Sequence, residues 1–244
     1  MNISVCLATY NGTKYIKIQL QSILRQLGAK DEVIILDDCS TDKTLDLVRD
    51  IDDKRIKIFK NEVNKGHVYS FGRVVELATK DIIFMSDQDD IWIDGRLDLM
   101  KERLLKSEAL LISTNSNFID SEGKIIDFNL DGVSAGSSEK YFENILDIFI
   151  GKTNYVGCAM AFKKELRNLI LPIPSYVESH DLWIAMGANI IKSNLHLDDP
   201  TLSRRIHGEN ASIVKRKLLP KLWSRIIFLL SMSQLYYRSL LRKI

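Results

Sequence analysis

Along the first ninety residues, short apolar runs alternate with stretches whose apolar positions recur three and four apart. Ile3 to Ala8 is one such run, closed by Thr9-Tyr10-Asn11-Gly12, and predicts a buried strand followed by a turn. Residues 13–27 follow with Ile16, Leu20, Ile23, Leu24 and Leu27 at helical spacing. Val33 to Leu36 predicts a second strand, closed by Asp37-Asp38-Cys39-Ser40. Ser40 or Thr41 is suited to cap the next helix, which carries Leu45 and Val48. Ile56 to Phe59 predicts a third strand, Asn64-Lys65-Gly66 opens a helix to about Thr79, and Ile82 to Met85 predicts a fourth strand. Strands alternating with helices at this spacing imply βαβ units, a largely parallel sheet and an α/β fold. Polar clusters recur after the first, second and fourth strands. Loops on one edge of a sheet can converge on one ligand.

The second half is less regular. Leu104 to Ser113 predicts a helix end and a strand, and Ser116 to Leu130 a hairpin or excursion turning at Asp120-Ser121-Glu122-Gly123. Ser138 to Ile150 predicts a helix, Val156 to Phe162 a strand and Lys163 to Leu169 a short helix. Pro172 and Pro174 break the chain before Glu178-Ser179-His180-Asp181-Leu182-Trp183, and residues 214–243 predict a basic, apolar-striped helix or helix pair. With no clean linker, the expected organisation is one domain over 1–213, built from halves 1–115 and 116–213, and a tail over 214–244.

Charge changes this picture in one place. Among 244 residues the net charge is only +2, yet residues 210–244 hold eight cations and no acid, leaving 26 cations against 32 acids elsewhere. In the tail, Leu222, Ile226, Leu229, Leu230, Tyr237 and Leu241 share one side and Arg225, Arg238 and Arg242 another. Such a helix suits an anionic membrane surface, and equally suits docking on an acidic body. Nucleic acid is a poor partner, because the body is acidic and the basic residues stand on an apolar stripe. The longest apolar run of the tail, Ile226 to Leu230, is far short of a membrane span. Cys6, Cys39 and Cys158 are scattered and odd in number, as small buried residues of a reducing compartment. With Met1 to Ala8 reading as a strand rather than a leader, the expected location is cytoplasmic or the inner face of a membrane.

The fourth strand runs into Ser86-Asp87-Gln88-Asp89-Asp90, three carboxylates in four residues. Solvent exposure or a bound cation relieves such crowding, and carboxylate oxygens suit Mg²⁺ or Mn²⁺ shared with substrate phosphates. An acidic cluster just past a strand's carboxyl end fits the crevice where open α/β sheets bind ligands. No G-x-G-x-x-G follows the first strand, which excludes a dinucleotide site. Gly151-Lys152-Thr153 lacks the first glycine of a P-loop, position 146 being Leu. The sequons at Asn11 and Asn210 carry little weight without a leader. A nucleoside diphosphate on a metal fits what remains, with Asp38 and Asp87 as acceptors for base and ribose.

The chain resembles a family 2 glycosyltransferase of the GT-A fold over nearly its whole length. The matching pieces are Ser4-Val5-Cys6-Leu7-Ala8-Thr9-Tyr10-Asn11, Leu36-Asp37-Asp38-Cys39-Ser40-Thr41-Asp42, Asn64-Lys65-Gly66 and Met85-Ser86-Asp87-Gln88-Asp89-Asp90-Ile91-Trp92. Four in this order are specific where one alone is weak. The branch resembled builds bacterial O-antigen or capsule repeat units and includes rhamnosyl- and galactosyltransferases.

That resemblance implies roles for particular residues. Thr9, Tyr10 and Asn11 with Asp38 would hold the pyrimidine, Asn64, Lys65, Gly66 and Gln88 would complete the nucleotide-sugar site, and Asp87 would face the ribose. Asp89 would bind the metal (Mn²⁺ or Mg²⁺), with Asp90 supporting it and His207 completing the shell or touching the diphosphate. Asp181 matches the general base, while His180 departs from the family's acidic pair and is taken as supporting. Trp92 is expected to pack rather than to stack on sugar, Gly157 to permit close approach on the acceptor side, and Arg204 or Arg205 to meet phosphate or form an ion pair. The implied reaction is inverting, metal-dependent transfer of a hexose to a polyprenyl-diphosphate-linked glycan, with UDP-galactose the first donor and dTDP-rhamnose close behind. The rival readings are a nucleotidyltransferase, which lacks its glycine-rich basic loop here, and a noncatalytic nucleotide-sugar-binding or membrane scaffold protein.

Overall fold

The computed structural model describes residues 1–128, 130–153, 155–208 and 218–241. The sequon at Asn210, the cations Lys215, Arg216, Lys217, Arg242 and Lys243, and the expected 213/214 boundary lie outside them.

The alternation of the first half forms as its pattern predicts. β1 (Ile3–Thr9), α1 (Ile16–Leu24), β2 (Glu32–Asp37), α2 (Thr44–Arg49), β3 (Ile56–Lys60), α3 (His67–Leu77) and β4 (Ile82–Ser86) follow in order. Then come β5 (Ile91–Trp92), α4 (Arg96–Leu105), β6 (Leu111–Ile119), α5 (Tyr141–Ile150), β7 (Met160–Lys163), α6 (Arg167–Ile170), α7 (His180–Ile190), β8 (Asn194–Arg205) and α8 (Leu218–Leu241). The strands form one sheet in the order β3-β2-β1-β4-β7-β6-β8-β5. β1 pairs in parallel with β2 and β4, β2 with β3 and β6 with β8, whereas β7 runs antiparallel to β4 and β6. β2 and β4 are buried at every position because helices cover both faces of the sheet. Their side chains alternate accordingly. Cys6, Ile34, Ile83 and Met85 pack with α3 and α7, while Val5, Val33, Ile35 and Phe84 pack with α1 and α4.

The strand order fixes where a ligand goes. From β1 the chain moves out to β2 and β3, then returns to place β4 on the other side of β1, so the order reverses there. Open α/β sheets bind ligands outside the carboxyl ends at such a reversal. Register sets Thr9 beside Asp37 and Leu7 beside Ser86, so the loops after β1, β2 and β4 leave the same edge.

Several expectations need correction. α2 starts at Thr44, not at Ser40 or Thr41, and the Asp42 carboxylate accepts from the Thr44 N–H at 3.0 Å. Ser40 and Thr41 instead engage Asn11: the Asn11 N–H donates to Ser40 Oγ, and the Thr41 N–H to Asn11 Oδ1. The strand expected from Val156 begins only at Met160, because Gly157–Ala159 forms a tight turn. Ser116 to Ile119 extends β6, and the excursion begins after it. The Asp120 carboxylate closes that turn by accepting from the Glu122 and Lys124 N–H groups, with Gly123 at φ +85°. Cys6 and Cys158 are buried, but Cys39 is partly exposed.

Among the described residues, the tail is one helix rather than two. It docks through Ile227, Ser231 and Leu235, and Leu235 reaches the α7 glycine Gly187. Its opposite side exposes Leu222, Trp223, Ile226, Leu229, Leu230, Tyr236, Tyr237, Leu240 and Leu241. The apolar stripe read from the sequence is therefore the outward one, and a second row does the docking.

Candidate active site

Of the fourteen residues assigned to nucleotide-sugar, metal, base or supporting roles, thirteen line one cleft of ≈ 1450 Å³: Thr9, Tyr10, Asn11, Asp38, Asn64, Gly66, Asp87, Gln88, Asp89, Asp90, His180, Asp181 and His207. Lys65 lines a neighbouring hollow, and its ammonium stands 4.7 Å over the Tyr69 ring.

The donor-side loops are stapled to one another. Gln88 Oε1 accepts from Thr9 Oγ1 (2.5 Å) and the Tyr10 N–H (2.9 Å), and its amide donates to the Tyr10 carbonyl. Gln88 thus joins the loop after β4 to that after β1. Asp38 accepts from the Lys65 and Gly66 N–H groups and from the Asn61 amide, each at 2.8 Å. Three donors on a carboxylate with about four acceptor positions leave one open. Gln19, which the sequence reading missed, reaches from α1 to donate to Ser86 Oγ (2.7 Å) and the Asp87 carbonyl (3.0 Å). Its signal was a polar residue among apolar positions of an amphipathic helix.

Burial pushes the Asp87 carboxyl up to about 8, Asp90 and Asp89 adding repulsion and Arg204 opposing it. Burial and then Asp89 push Asp90 up to about 6. Asp90 Oδ1 accepts from the Arg205 N–H at 3.0 Å, while its buried Oδ2 has no hydrogen-bond partner. Asp89 Oδ2 lies 2.8 Å from His207 Nε2. The end of β8 makes that approach possible. Arg205 is buried, donates to the Asp89 and Asp120 carbonyls at 2.9 Å and stands 4.4 Å over Tyr15. Arg205 therefore organises the loop, and Arg204 is the one of the two that lines the cleft.

The donor set fits a hard divalent cation. The crowded carboxylates of Asp87 and Asp90, held against their own ionisation, and the orphaned buried oxygen of Asp90 offer hard oxygen ligation. The Asp89–His207 pair lies outside the group whose ligand atoms meet. Asp87, Asp90 and Cys158 bring their ligand atoms within 4.8 Å of one another. Burial, then Asp90 and Asp87, drive the Cys158 thiol well above its usual range, which keeps it a thiol.

Asp181 occupies the first turn of α7, where a carboxylate is favoured by the helix dipole. Its Oδ1 accepts from the Leu182 N–H at 2.8 Å and from the hydroxyl of the cap residue Ser179. His180 stacks on Phe71 with ring centroids 4.0 Å apart, and burial pulls it down to about 4. It is a neutral ring where an acidic pair would add charge. Gly157 gives the close approach expected of it, but to His180: a Cβ there would lie 2.8 Å from Nε2. Trp92 is buried, with Arg96 4.7 Å over its ring, and so packs beneath the loop.

Sheet order and carboxylate-lined crevice are those of a GT-A protein. TarS of S. aureus in complex with UDP-GlcNAc has the same fold at a TM-score of 0.70 and 18% identity, over 98% of this chain and 72% of that one. The Pyrobaculum calidifontis mannosyltransferase PcManGT, in complex with GDP-Man and Mn²⁺, matches at a TM-score of 0.63 and 17% identity, over 97% and 73%. The chain belongs to glycosyl transferase family 2, whose family model matches residues 4–170. It is 27% identical over 222 residues to the Escherichia coli UDP-Glc:alpha-D-GlcNAc-diphosphoundecaprenol beta-1,3-glucosyltransferase WfaP, covering 89% of this chain and 82% of that protein. To the dTDP-rhamnosyl transferase RfbG of Shigella flexneri it is 27% identical, over 84% and 72%. It spans about half the length of other curated relatives, 54% for a Nostoc glycosyltransferase and 47% for WfgD of Escherichia coli.

Proposed function

We propose that this chain is an inverting, metal-dependent glycosyltransferase. It moves a hexose from a nucleotide sugar to a polyprenyl-diphosphate-linked glycan in bacterial surface-polysaccharide synthesis. The observation that carries this reading is the meeting of Asp38, Asp87, the Asp89–His207 pair and Asp181 in one cleft. Asp38 keeps one acceptor position for the imide N–H of a pyrimidine, and Asp87 takes the ribose. Asp89 and His207, with Asp90 in support, would hold Mn²⁺ or Mg²⁺, which supplies Lewis acidity to the leaving diphosphate. Arg204 adds fixed positive charge beside it. Asp181 takes the proton of the acceptor hydroxyl as that oxygen bonds to the sugar's anomeric carbon and the bond to the diphosphate breaks on the other face. The neutral His180 adds no second negative charge beside this base.

The family resemblance puts UDP-galactose first among donors and dTDP-rhamnose close behind. The names of WfaP and RfbG keep UDP-hexoses and dTDP-rhamnose in the set. A cytoplasmic, peripheral position on the inner membrane suits the acceptor, and the outward apolar row of α8 supports it. No helix among the described residues is long and apolar enough to cross a membrane.

The test is transfer and hydrolysis across UDP-, dTDP- and GDP-sugars on synthetic lipid-diphosphate sugars, with Mn²⁺ or EDTA. The expected result is metal-dependent turnover of one donor, reduced about 10²–10⁴-fold in Asp181→Ala and lost in Asp89→Ala. Nucleotide binding without turnover on any donor and acceptor would favour the noncatalytic binding protein instead.

A further inference from the structure

One wall of the cleft has no part in the donor chemistry. Ile148 of α5, Met186 of α7, and Arg225, Ile227 and Phe228 of α8 line it. α7 packs on both α5 and α8, and the Phe149 and Phe228 rings meet at 5.3 Å, so these side chains belong to one apolar surface. Arg225 is its only cation among the described residues. The guanidinium stands 5.1 Å over the Phe149 ring and forms no ion pair with a described residue. Ser224 donates to Glu178 Oε2 at 2.7 Å, which fixes the residue before Arg225 to a position three residues ahead of Asp181. Three residues of chain reach at most about 11 Å. The wall therefore starts within a short glycan's length of the proposed base.

We propose that this wall binds the lipid-diphosphate end of the acceptor, Arg225 holding the diphosphate and Ile148, Ile227 and Phe228 the first isoprenoid units. An unpaired cation beside hydrocarbon matches a ligand with an anionic head and an apolar tail. The inference deepens the transferase reading and rests on it, since it names the part of the acceptor that the cleft recognises. It concerns the inward side of α8, not the outward row. With the diphosphate held so near Asp181, the acceptor carries few sugars between its reacting hydroxyl and its lipid.

The test uses the full chain with UDP and Mn²⁺ present to fill the donor side, and titrates farnesyl diphosphate, inorganic pyrophosphate and farnesol by calorimetry. Farnesyl diphosphate is expected to bind more tightly than either fragment. Arg225→Ala should weaken it about tenfold, the worth of one charge-assisted contact, and Arg225→Lys should retain most of the affinity. Phe228→Ser should weaken farnesyl diphosphate but not pyrophosphate, and the exposed control Arg103→Ala should change nothing. Equal binding of pyrophosphate and farnesyl diphosphate, or indifference to Arg225→Ala, overturns the proposal. So does loss of binding to anionic phospholipid vesicles in Arg225→Ala with farnesyl diphosphate affinity unchanged, which would make Arg225 a bilayer contact. Failure of UDP to bind the unmodified chain counts against the transferase reading, and the farnesyl diphosphate series is still read without it.

Discussion

Gly157 shows how narrow the tolerances are at single residues. Its missing side chain lets the turn before β7 lie against His180, whose ring is also pinned by Phe71. A methyl group there must displace one of them, and Asp181 is the next residue along. Gly157→Ala is expected to cost about 1–3 kcal/mol, as overpacking does, and to lower kcat more than it raises the donor KM. Urea unfolding together with steady-state kinetics checks both; an unchanged kcat would detach this contact from the base. The carboxylates, Gly157 and His207 were legible as residues. Gln19 was not, because one polar position in an amphipathic helix carries no sign of the loop it will reach.

At the scale of elements, Glu32 clamps the end of the sheet away from the cleft. Buried at the start of β2, it accepts from Ser4 Oγ of β1 at 2.6 Å, from Lys57 Nζ of β3 at 2.7 Å, and from both the N–H and hydroxyl of Thr79 at 2.8 Å. Burial raises its pKa, but the Lys57 ammonium and the other donors outweigh this and bring it down to about 2. Glu32→Gln is expected to cost about 2 kcal/mol, since buried acceptors of charge-assisted bonds are lost. Chemical denaturation would read that loss, with nucleotide affinity unchanged because the clamp is remote from the cleft. Strands β1, β2 and β4 were readable because a sheet covered on both faces demands continuous apolar runs. The start of α2 and the turn at Gly157–Ala159 were not, because side-chain bonds from Asn11 and packing against His180 decided them. The tail's docking face was equally hidden: helical spacing gives two apolar rows and says nothing of which one the body takes.

Across the whole molecule, buried histidines and buried carboxylates answer acid in opposite senses. His180 and His196 are both pulled down to about 4 by burial. The unfolded chain takes up these protons near pH 6.5 and the folded chain only near 4, so acid favours unfolding through this window. Their contribution is complete above about pH 6.5 and declines as pH falls towards 4, and that of Glu32 follows between about 4.5 and 2. Asp87 and Asp90, pushed up to about 8 and about 6, act in the opposite sense over the same window. In the double variant Asp87→Asn/Asp90→Asn, urea midpoints at pH 7, 6 and 5 should therefore fall in that order, and a flat series there would mean that the rings are protonated in the fold. The outward row of α8 makes a separate prediction. Trp223 is 58% exposed, so Trp223→Ser should leave the far-ultraviolet spectrum unchanged while reducing co-sedimentation with anionic vesicles. Equal partitioning would remove this row from the membrane account.

The position of β8 has a consequence for how the protein is made. This strand lies between β6 and β5, both finished before it exists. Asp89 leaves the ribosome 118 residues ahead of the imidazole that it meets. A growing chain therefore carries its mutually repelling carboxylates with neither His207 nor the Arg205 N–H to steady them, and with two strand edges open to other chains. Insertion of β8 closes both edges and completes the acidic loop in one event. A ribosome stalled near residue 190 would release a nascent chain with a nearly complete hydrophobic core but no finished site, and such a fragment would seek its missing strand in another molecule.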